Sequence, residues 1–394
     1  MIPVEEAIKI IEKNIVPLEE REQIYVLDSG GQILFEDVLA SINMPPFRQS
    51  AMDGYALFLH DDITYTIIDE VQAGDNHRPV LKAGEAVRIF TGAPVPNSAN
   101  VVIMQEQVIS GNNKIILQRT VDMGENIRPV GEQVKIGDVA LVKGTKMTAA
   151  AVGYLTSLGI TKISVYKKPS IAVIVTGNEL VAAGSSLAYG KIYESNSGML
   201  TSALHGLGYA NVTVHLVRDD YAETISVLEK AINQHDMVLI TGGISVGDYD
   251  FVGKALHEIR VNQLFYLVNQ KPGKPLFFGK KKNTNIFALP GNPAAVLSCF
   301  YMYVYPALQL LSADIGFTLP RITAISSSNF TKKEGRAQFL KAILKDGKAT
   351  ILEGQSSAML QTFVFANAMV LMPEEQNKWE TWSKLFAYQF KPST

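Results

Sequence analysis

Four short apolar runs rich in β-branched residues constrain the fold more than any other feature of this 394-residue chain. They are IAVIV (residues 171–175), VTVHLV (212–217), MVLI (237–240) and IFAL (286–289). Helical patterns separate the runs at residues 199–207, 222–232 and 294–311. Strands that alternate with helices predict a parallel sheet covered by helices on both faces. The sequence therefore predicts a three-layer α/β core.

Each run ends in a turn of small, polar, acidic or proline residues. The turns are TGNE (residues 176–179), RDD (218–220), TGGISVGDYD (241–250) and PGNP (290–293). In a parallel sheet, ligands bind beyond the carboxyl ends of the strands, so all four turns are expected at one edge. A single Gly-rich or Pro-Gly turn is more often a plain connection than a ligand site. Four turns at one edge favour a shared site.

The turns carry glycines and carboxylates. Gly242, Gly243 and Gly247 expose backbone N–H groups ahead of a helix, which suits phosphate or another oxyanion. The acids at the same edge are Glu179, Asp219, Asp248 and Asp250. Like charges repel, so this cluster predicts a cation, and oxygen ligands beside a phosphate favour Mg²⁺.

A second anion subsite is predicted from basic residues. The segment KPGKP places Lys271 and Lys274 on a proline-stiffened turn. Arg336, with the hydroxyls of Ser356 and Ser357, would suit a tetrahedral dianion beside those lysines. Taken alone, Arg336 is equally well interpreted as a solvated hairpin charge.

Composition excludes several classes of protein. The formal net charge of −2 gives no strong field for nucleic acid or an anionic membrane. The first residues follow a helical pattern with early acids, unlike a signal peptide, and no apolar stretch is expected to span a membrane. The lone cysteine, Cys299, excludes an internal disulfide and is expected to be a buried structural thiol. We expect a cytoplasmic protein.

Eight motifs together resemble the MoeA family, the molybdopterin molybdenumtransferases, which includes the gephyrin E domain. The motifs are PPFRQSAMDGYA (residues 45–56), RIFTGAPVP (88–96), IRPVGE (127–132), TGNEL (176–180), IYESN (192–196), TGGISVGDYD, KPGKP and LPGNP. Their order and spacing fit the family along essentially the whole chain. The resemblance implies insertion of molybdenum from molybdate into adenylylated molybdopterin, with metal-dependent release of AMP. It also implies a homodimer, with other molybdenum cofactor biosynthesis proteins as possible further partners.

The resemblance and the shifts in composition predict four parts. A discontinuous linking domain is expected at residues 1–44 and 136–167, and a β-rich insertion domain at 45–135. The α/β molybdopterin-binding core is expected at 168–317, and a small β-barrel-like C-terminal domain at 318–394. Within the last part, Asp346-Gly347 is a hairpin signal.

The resemblance assigns roles to residues of this chain. It implies that Asp53 and Thr91 complete the active site of the partner protomer, and that Glu179, Asp219 and Asp250 hold the metal. These five residues are the predicted catalytic set. The predicted molybdate ligands are Lys271, Lys274, Arg336, Ser356 and Ser357. The remaining predicted substrate-binding residues are Arg128, Thr241, Gly242, Gly243, Ser245, Gly247, Asp248, Pro290, Gly291, Asn292 and Pro293.

Two departures from the family pattern keep an alternative open. Gln133 stands where the family usually has Asp, and Leu267 stands where it often has Lys. A neutral amide cannot act as an anionic metal ligand, and losing a lysine weakens anion binding. The alternative is a molybdopterin-binding protein or scaffold with weak or altered turnover. An unrelated phosphate-handling hydrolase would not require SAMDGYA, RIFTGAPVP or a terminal β domain.

Overall fold

The computed structural model describes residues 1–244, 251–314, 316, 318–333 and 335–390. The chain forms two compact units. The larger unit consists of Met1–Glu20 and Tyr166–Thr394, and the smaller unit is Arg21–Val165. The smaller unit is therefore inserted in the sequence of the larger one, after helix α1 (Val4–Asn14).

The smaller unit is built mainly from β-strands. Its strands and one helix are β1 (Arg21–Tyr25), β2 (Val38–Leu39), β3 (Gln49–Ser50), β4 (Gly54–Leu57), β5 (Thr64–Val71), β6 (Glu85–Ile89), β7 (Val101–Met104), β8 (Val108–Gly111), β9 (Lys114–Leu117), β10 (Ile127–Arg128), β11 (Val139–Leu141), α2 (Ala149–Ser157) and β12 (Lys162–Tyr166). Six of the strands form a sheet in the order β7-β4-β6-β5-β9-β8. Asn112 and Asn113 both have positive φ between β8 and β9, which is the backbone of a tight hairpin turn.

The larger unit contains the predicted α/β core. Its elements are β13 (Ile171–Thr176), β14 (Leu180–Val181), β15 (Ile192–Tyr193), α3 (Asn196–Gly206), β16 (Val212–Val217), α4 (Tyr221–Gln234), β17 (Met237–Thr241), α5 (Phe251–Glu258), β18 (Asn262–Leu267), β19 (Gln270–Lys271), β20 (Pro275–Lys281), β21 (Thr284–Leu289), α6 (Pro293–Cys299), a π-helical segment (Phe300–Val304) and α7 (Tyr305–Leu311). The sheet order is β16-β13-β17-β21-β20-β18. The first four strands are parallel, and they are the four apolar runs; β20 and β18 extend the sheet antiparallel.

Helices cover both faces of this sheet because its central strands are apolar on both sides. Val173 and Val175 pack in a cluster with α1, α3, α6 and α7, whereas Ala172 and Ile174 pack with α4 and α5. Every residue of β13 and β21 is buried. The prediction of a three-layer core is confirmed.

The C-terminal segment closes into a five-stranded barrel. Its elements are β22 (Arg321–Ser326), β23 (Phe330–Thr331), β24 (Ala337–Lys345), β25 (Lys348–Ile351), α8 (Gln361–Phe365), β26 (Ala368–Met372), β27 (Lys378–Trp379) and β28 (Lys384–Gln389). The order β24-β25-β22-β28-β26 returns to β24 through the β24–β26 pairing. Asp346 and Gly347 both have positive φ and form the predicted hairpin between β24 and β25.

One helix in the described part of the chain shows that an expectation about apolar stretches was wrong. The helical run Pro293–Leu311 is 19 residues long and apolar enough to span a membrane by length and composition, contrary to the absence expected above. However, 83% of its apolar window is buried inside the protein. Its apolar surface is already covered by the core, because Val296, Phe300 and Leu308 all belong to the main hydrophobic cluster. This is a core helix.

Candidate functional site

A cavity of about 510 Å³ lies in the larger unit where the parallel strands end. Its floor and walls include Thr176 at the end of β13, Gly242 just after β17 and Pro290 just after β21. The turns that follow three of the four apolar runs therefore contribute to one pocket, as expected for a parallel sheet.

Nine of the predicted site residues line this pocket. They are Glu179, Gly242, Lys271, Pro290, Gly291, Asn292, Pro293, Arg336 and Ser357. They come from the predicted acidic, glycine-rich and basic motifs, so one cavity contains groups of both charges.

Five predicted residues of the same unit do not line the cavity: Asp219, Thr241, Gly243, Lys274 and Ser356. Asp219 lies beside the TGNE turn, where its Oδ2 accepts a hydrogen bond from the Asn178 amide at 2.9 Å. The Asp219 amide in turn donates to Asn178 Oδ1 at 3.1 Å. Thr241 is fully buried at the end of β17. The predicted residues Ser245, Gly247, Asp248 and Asp250 lie outside the described residues.

Gly242 has a backbone that only glycine fits. Its φ is +83°, and a Cβ there would lie 2.3 Å from the Thr176 carbonyl oxygen. Glycine therefore lets the turn after β17 approach the end of β13 and leaves the pocket floor free of a side chain.

The cationic edge of the pocket results from pairing between two distant segments. Strand β19, which ends at the first lysine of KPGKP, pairs in parallel with the start of β24, with Lys271 opposite Gln338. Arg336 immediately precedes β24, so the pairing brings it to the same cavity as Lys271. At the neighbouring wall, Asn292 Nδ2 donates to Ser357 Oγ at 2.9 Å.

A buried network supports the KPGKP turn from behind. Gln270 is fully buried, and its Nε2 donates to the Gly273 carbonyl at 2.9 Å. Tyr303 donates its hydroxyl hydrogen to Gln270 Oε1. Gly273 has φ +82°, and a Cβ there would lie 2.5 Å from Cys299 Sγ. Burial raises the pKa of the Cys299 thiol to about 12, so the structure supports a structural role for this cysteine.

Several pocket residues were missing from the predicted set. Glu194 and Asn196 line the cavity from the IYESN motif, and Thr176 lines it from TGNEL. Asn196 Nδ2 donates to the Gly291 carbonyl at 2.9 Å. The motifs themselves were the signal for these residues, but only the fold shows that their side chains reach the pocket.

Three buried oxygens at this strand edge have no hydrogen-bond partner within the described part of the chain: Thr176 Oγ1, Asn196 Oδ1 and Thr241 Oγ1. Buried polar atoms are normally paired, because leaving one unpaired costs roughly 1–3 kcal/mol. Thr176 and Asn196 also line the pocket, so a polar ligand there would supply the missing partners.

In the smaller unit, Asp53 and Thr91 form an exposed pair. Asp53 Oδ1 accepts from the Thr91 amide at 2.7 Å and from the Thr91 hydroxyl at 2.8 Å. These two hydrogen bonds stabilise the carboxylate and hold the pKa of Asp53 below its usual value. Arg128 is exposed on β10, opposite Gln49 of β3.

The predicted metal ligands are described only in part. No group of three or more His, Cys, Asp or Glu side chains suited to a metal occurs among the residues for which the structure is described. Glu179 lines the pocket, and Asp219 is hydrogen-bonded to Asn178, the residue before Glu179. Both side chains offer the hard oxygen ligands that Mg²⁺ prefers. Two carboxylates with a substrate phosphate fit the usual manner of Mg²⁺ binding.

Comparison with known proteins covers most of the chain. Residues 2–159 match the family model for the MoeA N-terminal region (domain I and II), and 172–310 match the probable molybdopterin binding domain. Residues 323–381 match the MoeA C-terminal region (domain IV). A molybdopterin molybdenumtransferase of Staphylococcus epidermidis is 33% identical over 384 residues, which cover 94% of this chain and 91% of the relative. The chain belongs to the MoeA family.

Further relatives agree with this assignment to the MoeA family. A molybdopterin molybdenumtransferase of Haemophilus influenzae is 34% identical over 379 residues, covering 93% of each chain. The crystal structure of the molybdopterin biosynthesis moeA protein of Pyrococcus horikoshii OT3 superposes with a TM-score of 0.85 and 31% identity. That match covers 99% of this chain and all of the other. The resemblance inferred from the motifs is confirmed over nearly the full length.

Proposed function

We propose that this protein inserts molybdenum from molybdate into adenylylated molybdopterin, with Mg²⁺-dependent release of AMP, in a late step of molybdenum cofactor biosynthesis. Two relatives are named molybdopterin molybdenumtransferase, which supports molybdenum transfer involving molybdopterin. The proposed enzyme is a cytoplasmic homodimer.

One observation carries the proposal: Glu179, Lys271 and Arg336 line the same cavity. The reaction joins two anions, the adenylate and the oxyanion, in one place. Lys271 and Arg336 would bind molybdate at the cationic edge, with Ser357 donating a hydrogen bond to an oxyanion oxygen. The glycine turn at Gly242 leaves room for the phosphates of the adenylate.

We propose that the metal binds at the acidic side of the pocket. Glu179 and Asp219 would hold Mg²⁺, together with Asp250, which lies outside the described residues. When bound there, Mg²⁺ would withdraw charge from the phosphoanhydride of the adenylate. Asn178 keeps Asp219 in place through the two hydrogen bonds that join them. Thr176 and Asn196 would pair their free oxygens with polar groups of the pterin substrate.

The deciding experiment is incubation of the purified protein with adenylylated molybdopterin, molybdate and Mg²⁺. We expect AMP release coupled to formation of active cofactor. Substitution Glu179→Gln should reduce Mg²⁺-dependent AMP release by at least about tenfold, since it removes a charged metal ligand and keeps the shape of the side chain. Binding of the adenylate without AMP release by the wild type would instead favour the scaffold alternative.

The proposed homodimer is expected to share its active sites between protomers through Asp53 and Thr91. Asp53→Ala and Asp250→Ala should each be inactive as homodimers. A mixed dimer would place both lesions in one site and leave the other site intact, by the geometry of a two-fold interface. Each mixed dimer should then have up to about half the activity of a wild-type dimer. Verified heterodimers without any recovery would favour a site contained within one protomer.

A further inference from the structure

Lys341 is a buried cation in the barrel, and its position is unusual for a lysine. It lies on β24 with only 4% of its surface exposed. Lysine is almost never fully buried unless its charge is paired, because desolvating an ammonium is costly. Burial lowers the pKa of Lys341 to about 8, which reflects that cost. Leu340 and Ala342 of the same strand pack in the barrel core, so Lys341 lies on the opposite face of β24, where an apolar residue would cost less to bury.

The ammonium group of Lys341 donates its hydrogen bonds to one loop, and it also lies 5.6 Å from the centroid of the Phe363 ring on α8. Its Nζ donates to the carbonyl oxygens of Gly354 at 2.8 Å, Met359 at 3.1 Å and Ser356 at 3.2 Å. An ammonium has three hydrogens, and three carbonyls accept them. The loop of residues 354–359 is therefore folded around one side chain.

Gln355 ties the same loop to the backbone of β24. Its Oε1 accepts from the Lys341 amide at 2.9 Å, and its Nε2 donates to the Lys341 carbonyl at 2.9 Å. The same Nε2 also donates to the Leu352 carbonyl at 2.7 Å. The backbone and the side chain of Lys341 together hold the loop at four residues, Gly354, Gln355, Ser356 and Met359.

The loop held by Lys341 carries a pocket residue. Ser357 follows directly after the Ser356 carbonyl that Lys341 binds, and it lines the cavity. Its hydroxyl accepts the hydrogen bond from Asn292 of the turn after β21. The position of the Ser357 hydroxyl relative to Lys271 and Arg336 therefore depends on the loop, and the loop depends on Lys341.

We propose that Lys341 is a positioning residue that holds the 354–359 loop so that Ser357 completes the oxyanion-binding edge of the pocket. The inference rests on the proposed function for the identity of the oxyanion as molybdate. Lys341 itself does not line the pocket. It acts through the loop and not through contact with the substrate.

Lys341→Met tests this role because methionine keeps an unbranched apolar side chain and removes all three donors. The matched control is Lys345→Met, an exposed lysine four residues further along the same strand. Hydrogen exchange followed by mass spectrometry reports the loop without reference to activity. We expect amides of residues 354–359 to exchange roughly tenfold faster in Lys341→Met and unchanged in Lys345→Met.

Molybdate titration by calorimetry reports the consequence for the pocket. We expect molybdate to bind roughly tenfold more weakly to Lys341→Met. Ser357→Ala should weaken molybdate binding without faster exchange in the loop, which separates the contact from its support. Lys341→Arg keeps the charge and several donors, so it should restore most of the protection.

The outcomes separate this inference from the proposed function. Unchanged exchange in Lys341→Met, or faster exchange with unchanged molybdate affinity, would overturn the positioning role. If the wild type binds molybdate but releases no AMP, the proposed function fails. The role of Lys341 is then still decided by hydrogen exchange and by molybdate calorimetry. If the wild type binds no molybdate, the oxyanion edge is refuted. Should Lys341→Met not fold, Gln355→Ala loosens the same loop and gives the same readouts.

Discussion

Thr91 donates two hydrogen bonds to a single carboxylate oxygen of Asp53, one from its amide and one from its hydroxyl. Both bonds favour the ionised form, and the amide has the larger effect on the lowered pKa. Thr91→Val removes only the hydroxyl, so the pKa of Asp53 should rise part of the way towards 3.8. NMR titration of the Asp53 carboxyl carbon measures this directly.

Thr91→Ser is the matched control because it keeps the hydroxyl. The pKa of Asp53 is lower in the folded protein than its ordinary value of 3.8. The ionised Asp53 therefore stabilises the fold fully at a pH above its ordinary pKa, and this stabilisation is lost as the pH falls through the lower pKa of the folded state. An identical pKa in the valine and serine variants would contradict the role of the hydroxyl.

The turn after β17 should not tolerate a side chain at Gly242. Gly242→Ala adds a Cβ 2.3 Å from the Thr176 carbonyl oxygen at a positive φ. The expected loss in the free energy of unfolding is about 1–3 kcal/mol. Urea denaturation measures it. Gly198→Ala is the control, because Gly198 lies in α3 with open space around it. This substitution should increase the free energy of unfolding by about 0.5–1 kcal/mol.

The two lysines of KPGKP should differ in their effect on molybdate. Lys271 lines the pocket and Lys274 does not. Lys271→Met should raise the molybdate concentration needed for half-maximal insertion by roughly tenfold, with adenylate affinity little changed. Lys274→Met should stay closer to the wild type. Equal effects would mean that both ammonium groups reach the oxyanion. A fall in adenylate affinity would instead assign Lys271 to the phosphate subsite.

Cys299 should be inert in the folded protein. The thiol is fully buried, and its pKa of about 12 leaves almost no reactive thiolate at pH 8. Iodoacetamide should therefore label the native protein much more slowly than the urea-unfolded protein, as followed by mass spectrometry. Gly273→Ala, which presses on Cys299 Sγ, should speed labelling if it loosens this packing. Rapid labelling of the native wild type would show that the thiol is accessible.

The buried strands of the α/β core and the hairpin of the barrel were predictable from the sequence. The runs at residues 171–175 and 237–240 became β13 and β17, because uninterrupted apolar residues, many of them β-branched, fit a strand buried on both faces. Asp346-Gly347 formed a hairpin because both residues adopt positive φ at low cost. Such features depend on local chemistry, which the sequence displays directly.

Long-range features were harder to predict. Strand β19 has only two residues, and its pairing with β24 joins residues that are 67 positions apart in the sequence. No local pattern shows that Lys271 faces the cavity while Lys274 does not. The buried Lys341 also gave no signal, since its acceptors are backbone carbonyls, which every residue possesses. The roles of the residues that the resemblance supplied stay predictions until the variants above are measured.

The main hydrophobic cluster of the larger unit contains residues of the barrel as well as of the α/β core. Ala337, Phe339 and Met369 of the barrel belong to the same buried cluster as Phe300 and Leu308 of the long helix. Unfolding the barrel alone would expose apolar surface on both sides of this contact, which opposes partial unfolding. The α/β core and the barrel, which match separate family models, are thus expected to melt together in a single calorimetric transition. A chain cut after Leu311 would expose a face of the α/β core to water.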